Sequence, residues 1–242
     1  MDIEIQIAVA KTNKFQSPHG GDVVETIERP SGGLSVVMVD GQSSGRESKL
    51  MAGRIARQVI SLIADGVRDS AAARAASDQL FTEREGAASA NLLILSPDLD
   101  TGTIVISRNS PTPVFIAQGE RIECLGGESM PIGSSKNIKP SITEISLVQG
   151  TTVVMYTDGV LKAGQAIEVG MDVCTMLEAL LDEQQPSAQS IADALLKEAI
   201  RLDNGAPNDD MSVVVTRLAQ HKHDRVRRML ISLPVDVSEF AD

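Results

Sequence analysis

The order in which two hydrophobic periodicities follow one another constrains this chain more than any other feature. Residues 3 to 10 (IEIQIAVA) alternate apolar and polar as a half-buried strand does, and VVETIE (Val23 to Glu28) and Leu34 to Val39 continue in that character across an RPSGG turn. From Ser44 to Ala64 the apolar positions Leu50, Met51, Ile55, Val59, Leu62 and Ile63 fall at helical spacing, and Asp69 to Phe81 predicts a second, Ala-rich helix. Short strand-like segments follow: NLLILSPD, TIVIS from Thr103, PVFIA from Pro113 and ITEISL from Ile142. The turns DLDTG, NSPTP and VQG separate them in the rhythm of an antiparallel meander. After TTVVMYTDG come two helical patterns, Asp172 to Glu183 and Ser187 to Leu202, the second capped by Ser187 behind Pro186. NGAPND then breaks the chain, and MSVVVTRL returns to strand.

Strands, two helices, strands, two helices and a strand do not alternate as βαβ units do, so a parallel sheet is excluded and an α+β sandwich is expected. The 42% hydrophobic positions in 242 residues suffice for one large core. Residues 1–218 are read as one domain. The remainder, Ala219 to Asp242, carries a basic cluster, HKHDRVRR, and an apolar run, MLISLPV, expected to add an edge strand.

Composition removes several classes of function. An aromatic share of 2% gives bases little to stack on, and a net charge of −11 opposes phosphate backbones and anionic lipids unless bound cations intervene. Neither nucleic acid nor membrane is therefore expected as a partner, and no apolar stretch approaches the roughly 20 residues that cross a bilayer. Cys124 and Cys174 are far apart with no C-x-x-C, which predicts core-filling thiols in a reduced, cytoplasmic protein; the start, Met-Asp-Ile-Glu, has no leader character.

One pattern recurs. Strands end in Asp40-Gly41 and in Asp158-Gly159, and strands begin just after Asp22 and after Asp209-Asp210. In an antiparallel sheet the end of one strand and the start of its neighbour share an edge, so four carboxylates distant in sequence can meet there. A lone Asp-Gly is an ordinary turn signal; the joint placement is what points to a site. Clustered carboxylates are neutralised by raised pKa values or by cations, and an oxygen-only set suits Mg2+ or Mn2+ better than Zn2+. Gly41 leaves its carbonyl open to an ion. Two such ions, roughly 3.5–4 Å apart, would clamp a phosphoryl group and ionise the attacking water. Asp210 reads as a neighbour that caps or solvates, and His221, Lys222 and His223 as a solvated tail. A haloacid-dehalogenase site needs a second Asp where Gln42 stands.

The blocks HGGDVVE, VVMVDGQSSGRES, SRNSPTPVFI, MPIGS, VVMYTDGVLKAG and NDDMSVVVTR resemble, in order and spacing, those of the metal-dependent protein phosphatases (PPM family, protein phosphatase type 2C fold), in the SpoIIE-type bacterial branch. The resemblance covers residues 4 to 218. It implies a four-layer α-β-β-α sandwich with a centre of two Mn2+ or Mg2+ ions. Asp40 would bridge both ions, Asp158 and Asp209 would complete the first, and Asp22 and the Gly41 carbonyl would serve the second. It further implies hydrolysis of phosphoserine or phosphothreonine through a metal-bridging hydroxide, on a phosphorylated STAS-class antagonist or another regulatory protein. The chain departs from the family at Ser110, where a His is usual, and at Val23 and Val24, where aromatics are common. Those departures motivate an alternative reading, a catalytically weak interaction module. The early first strand fits a free-standing member, and the sequence does not set the oligomeric state.

Overall fold

A computed structural model describes residues 3–41, 45–183, 185–221 and 226–234. Among these described residues ten strands form two antiparallel five-stranded sheets. The first runs β1 (Ile3–Thr12), β10 (Met211–Gln220), β9 (Thr152–Tyr156), β6 (Val114–Gln118) and β7 (Arg121–Leu125). The second runs β2 (Val23–Glu28), β3 (Leu34–Gly41), β4 (Ala90–Asp98), β5 (Thr103–Asn109) and β8 (Ser141–Ser146). Helices α1 (Arg46–Ala64) and α2 (Asp69–Arg84) cover the second sheet, and α4 (Val173–Glu183) and α5 (Ala188–Leu202) cover the first. A single turn, α3 (Asp158–Leu161), follows β9. The architecture is the expected α+β four-layer sandwich.

Strand alternation sorts the side chains into three apolar layers. On β3, Val37 and Val39 face α1 and α2, while Val36 and Met38 face the other sheet; on β9, Val154 and Tyr156 face α4 and α5, while Val153 and Met155 face inward. Aliphatic side chains predominate in all three layers, with Phe115 and Tyr156 stacked in the one against α4 and α5. Helix α5 begins as expected, with the Ser187 side chain accepting from the Ser190 N–H.

The structure corrects several expectations. The segments from β4 to β8 are not one meander: β5 lies in the second sheet, β6 and β7 in the first, and β8 returns to the second. NSPTP is thus a sheet-to-sheet crossover, and its Pro111 and Pro113, which have no N–H to add to a ladder, suit a chain leaving a sheet. Strand β7 went unread because its outward residues are exposed and polar; a two-residue turn at Gly119-Glu120 and pairing with β6 create it. Residues 226–234 form no strand, and Met229, Leu230, Ile231 and Leu233 are exposed, so the expected edge strand is absent among the described residues. Pro234 lacks the N–H a ladder needs, and Arg227 instead reaches Glu28 at 2.8 Å. Cys124 is exposed rather than a core filler, while Cys174 packs half-buried on the α4/α5 layer. The expected helix start at Ser44 lies outside the described residues, as do Lys222 and His223. His221 is not solvated tail: its Nδ1 lies 3.2 Å from a Glu4 carboxylate oxygen.

Candidate metal centre

Alternation also builds the site. The inter-sheet layer is apolar along β3 through Val36 and Met38, so the next position of that parity, Asp40, lies on the same face at the strand's end. The same parity puts Lys11 after Val9 on β1, Thr157 after Met155 on β9 and Ser212 before Val214 on β10. One end of the inter-sheet layer is therefore polar, with contributions from both sheets.

Asp22, just before β2, is buried there. Its Oδ2 accepts from the hydroxyls of Thr157 (2.9 Å) and Ser212 (2.7 Å). Lys11 Nζ donates to the Asp22 carbonyl at 3.0 Å. Asp210 holds the preceding loop: its carboxylate accepts from the main-chain N–H of Lys14 at 2.8 Å and of Gly21 at 2.5 Å. It is a clasp for the Gly20-Gly21-Asp22 turn, with both oxygens engaged. Asp40 Oδ2 accepts from Asn91 Nδ2 at 3.0 Å, across the β3–β4 pair.

Two glycines permit close approach. A side chain at Gly41 would press into the Ser48 hydroxyl on α1, and one at Gly159 into the Asp210 carbonyl. Gly41 and Gly159 are thus explained by packing, whatever else their carbonyls do.

The carboxylates act on one another. Burial first, then the charges of Asp22 and Asp158, push the Asp40 carboxyl up to about 8, against the Asn91 hydrogen bond; Asp209 adds to the rise. Burial pushes Asp22 up to about 6, with the Ser212 and Thr157 hydroxyls pulling it down. Burial also raises Asp209, offset by the Asp210 N–H donating to it. Asp158 lies at the start of α3, with Lys162 Nζ 2.6 Å from its Oδ2. The structure thus brings Asp22, Asp40, Asp158 and Asp209 to one edge.

The donor set fits hard divalent cations: oxygen ligands, mutual repulsion that a cation relieves, and a buried Ser48 hydroxyl without a partner beside Gly41. Among the described residues no three carboxylate, imidazole or thiolate side chains stand as a finished cage. Asp22 is turned to Thr157 and Ser212, and Asp158 to Lys162.

Ser110 is buried in the crossover after β5. Its Oγ accepts from the Thr112 N–H at 3.1 Å, and its carbonyl from Arg108 Nη1 at 3.0 Å. Arg108 Nη2 also donates to the Gly127 carbonyl at 2.7 Å, tying the crossover to the loop that follows β7. Sequence reading missed Thr157, Ser212, Asn91 and Lys11, whose signal was strand parity beside the aspartates and requires knowing the register, and Lys162, whose signal was its four-residue offset from Asp158.

Two antiparallel sheets between helix pairs, with carboxylates at one shared edge, define the PP2C phosphatase fold. A structure of the PP2C phosphatase domain with a fragment of the regulatory domain of SpoIIE from Bacillus subtilis superimposes with a TM-score of 0.77 at 20% identity, over 88% of this chain and 63% of that one. RsbX in complex with magnesium gives 0.68 at 15% identity, over 90% and 99%. Residues 30–219 match the family described as Stage II sporulation protein E (SpoIIE), and the chain belongs to that family. The stage II sporulation protein E of Priestia megaterium is 22% identical over 217 residues, 90% of this chain. The chain spans 37% of that relative's length.

Proposed function

We propose that this domain is a metal-dependent serine/threonine protein phosphatase acting on a phosphorylated bacterial regulatory protein, with a phosphoserine on a STAS-class antagonist as the preferred substrate. The observation that carries the reading is the convergence, from both sheets, of Asp22, Asp40, Asp158 and Asp209, where burial raises the Asp40 carboxyl first and the charges of the other three raise it further. Family membership and the shared fold support it. The magnesium bound by RsbX supports the class of ion.

Bound by Asp22, Asp40, the Gly41 carbonyl, Asp158 and Asp209, two Mn2+ or Mg2+ ions would supply positive charge for a phosphoryl group and lower the pKa of the attacking water. The chain's own residues set the frame. Strand β3 is the rigid mount of Asp40, and Asn91 fixes its carboxylate plane. Thr157 and Ser212 hold Asp22 by one oxygen and leave Oδ1 to other partners. Asp210 locks the loop that carries Asp22. Among the described residues no helix is long and apolar enough to cross a membrane.

The test is phosphate release from a phosphoserine STAS protein in Mn2+, with wild type and Asp40→Asn side by side. Release by the wild type alone is expected. Binding of the phosphoprotein by the wild type without release would overturn the enzymatic reading in favour of an interaction module.

A further inference from the structure

Lys162 holds one of the four carboxylates. Its Nζ lies 2.6 Å from Asp158 Oδ2, and the charges of Asp209 and Asp40 also act on it. The spacing is built in: α3 is one turn, Lys162 follows it, and the Lys162 N–H donates to the Asp158 carbonyl at 2.8 Å, which sets the side chains four residues apart on one face. Lys11, another lysine at this edge, donates to the Asp22 main-chain carbonyl and acts on the Asp22 carboxylate through its charge rather than by a hydrogen bond.

We propose that Lys162 is a tethered counter-cation that competes with the divalent ion for Asp158 and so holds the site's metal affinity down. The proposal rests on the metal-binding part of the reading above. Its physical basis is that one carboxylate oxygen cannot keep a 2.6 Å ammonium contact and accept an ion in the same place. An ion that takes Oδ2 must break the pair, and one that takes Oδ1 must share the neighbourhood of Asp158, Asp209 and Asp40 with the ammonium. Both effects weaken binding. The Lys162 side chain is 53% exposed, so displacement into solvent meets no packing barrier, and the ion pair itself contributes little to stability.

The experiment is titration calorimetry of metal-stripped protein with Mn2+, a readout independent of turnover, on wild type, Lys162→Met, Lys162→Arg and Asp158→Asn. Lys162→Met is expected to lower the Mn2+ Kd by about tenfold, within the usual range of coupling between sites. Lys162→Arg keeps the charge and is expected to stay near wild type, while Asp158→Asn weakens binding. Thermal unfolding supplies a second readout: Lys162→Met leaves the midpoint of the metal-free protein close to that of the wild type and raises the shift produced by Mn2+. An unchanged Kd in Lys162→Met, with binding weakened in Asp158→Asn, overturns the competition and leaves the metal centre standing. Equal or absent Mn2+ binding in wild type and Asp158→Asn overturns the metal reading and the competition together.

Discussion

Ser212 on β10 donates its hydroxyl to Asp22 at 2.7 Å across 190 residues of sequence, joining the first sheet to the loop that enters the second. Hydrogen bonds to a charged group contribute about 1.5–3 kcal/mol. Ser212→Ala is expected to lower stability by that amount, and the unfolding midpoint by several degrees. Chemical denaturation checks it; a change below about 0.5 kcal/mol, the scale of a neutral surface substitution, would sink this role for Ser212.

Stability of the metal-free domain should fall with rising pH. Asp22 and Asp40 have folded pKa values of about 6 and about 8, above the 3.8 of a free carboxyl, so the folded state holds more protons than the unfolded one between these limits. Their protonated forms stabilise fully below about pH 4, and that contribution is lost as pH rises through about 6 and then about 8. Melting curves from pH 5 to 8.5 in chelator should show the decline, and Asp40→Asn should flatten it. A midpoint that rises across this window would contradict the assignment.

Chelation should abolish hydrolysis of p-nitrophenyl phosphate, and Mn2+ or Mg2+ should restore it. Asp158→Asn should stay inactive at saturating Mn2+, with a loss of roughly 10²-fold or more, the scale of removing one preorganised electrostatic group. Restoration by Zn2+ alone would contradict the all-oxygen donor set.

Gly159→Ala should disrupt the site by steric means, since its added methyl meets the Asp210 carbonyl, whereas Gly170→Ala points into open space and should be neutral. Paired melting curves distinguish a local clash from a general intolerance of alanine. Equal midpoints for the two variants would remove the close-approach argument.

Arg29 pairs with Asp69 at 2.7 Å and donates to Ser35, tying the β2–β3 turn to the start of α2. The Asp69 side chain is 3% exposed. Asp69→Leu should lower stability by about 3 kcal/mol, the low end for breaking a buried pair, because the guanidinium loses its close carboxylate but keeps Asp98 at 3.9 Å and the Ser35 and Ser96 hydroxyls. Restoration of most of that loss by Arg29→Met in the same chain would confirm the cause.

The aspartates were legible in the sequence because each stands where a hydrophobic run stops or starts, and an antiparallel edge is shared by strand ends. The helices were legible from their spacing, with Ser187 marking one start correctly. The partners of Asp22 were not, since Thr157 and Ser212 read as ordinary strand residues until β9 and β10 are set in register. Strand β7 and the crossovers were hidden for a related reason: tertiary pairing, rather than local pattern, decides them. Lys162 stands four residues after Asp158, an offset visible in the sequence, but its pairing depends on the helical turn between them.

Asp40 hangs from one sheet, Asp158 and Asp209 from the other, Asp22 leads into the second sheet while bonded to Thr157 and Ser212 at the edge of the first, and between the sheets lie Val36, Met38, Val153, Met155 and Val214. The spacing of the carboxylates is therefore a measure of how the two sheets are aligned. Any force that slides one sheet over the other, from a change in the helices that cover it or from a differently shaped side chain in the middle layer, reaches the centre as a change in the distance between its halves. A binding event on an outer helix thus has a mechanical route to the site that needs no contact with it.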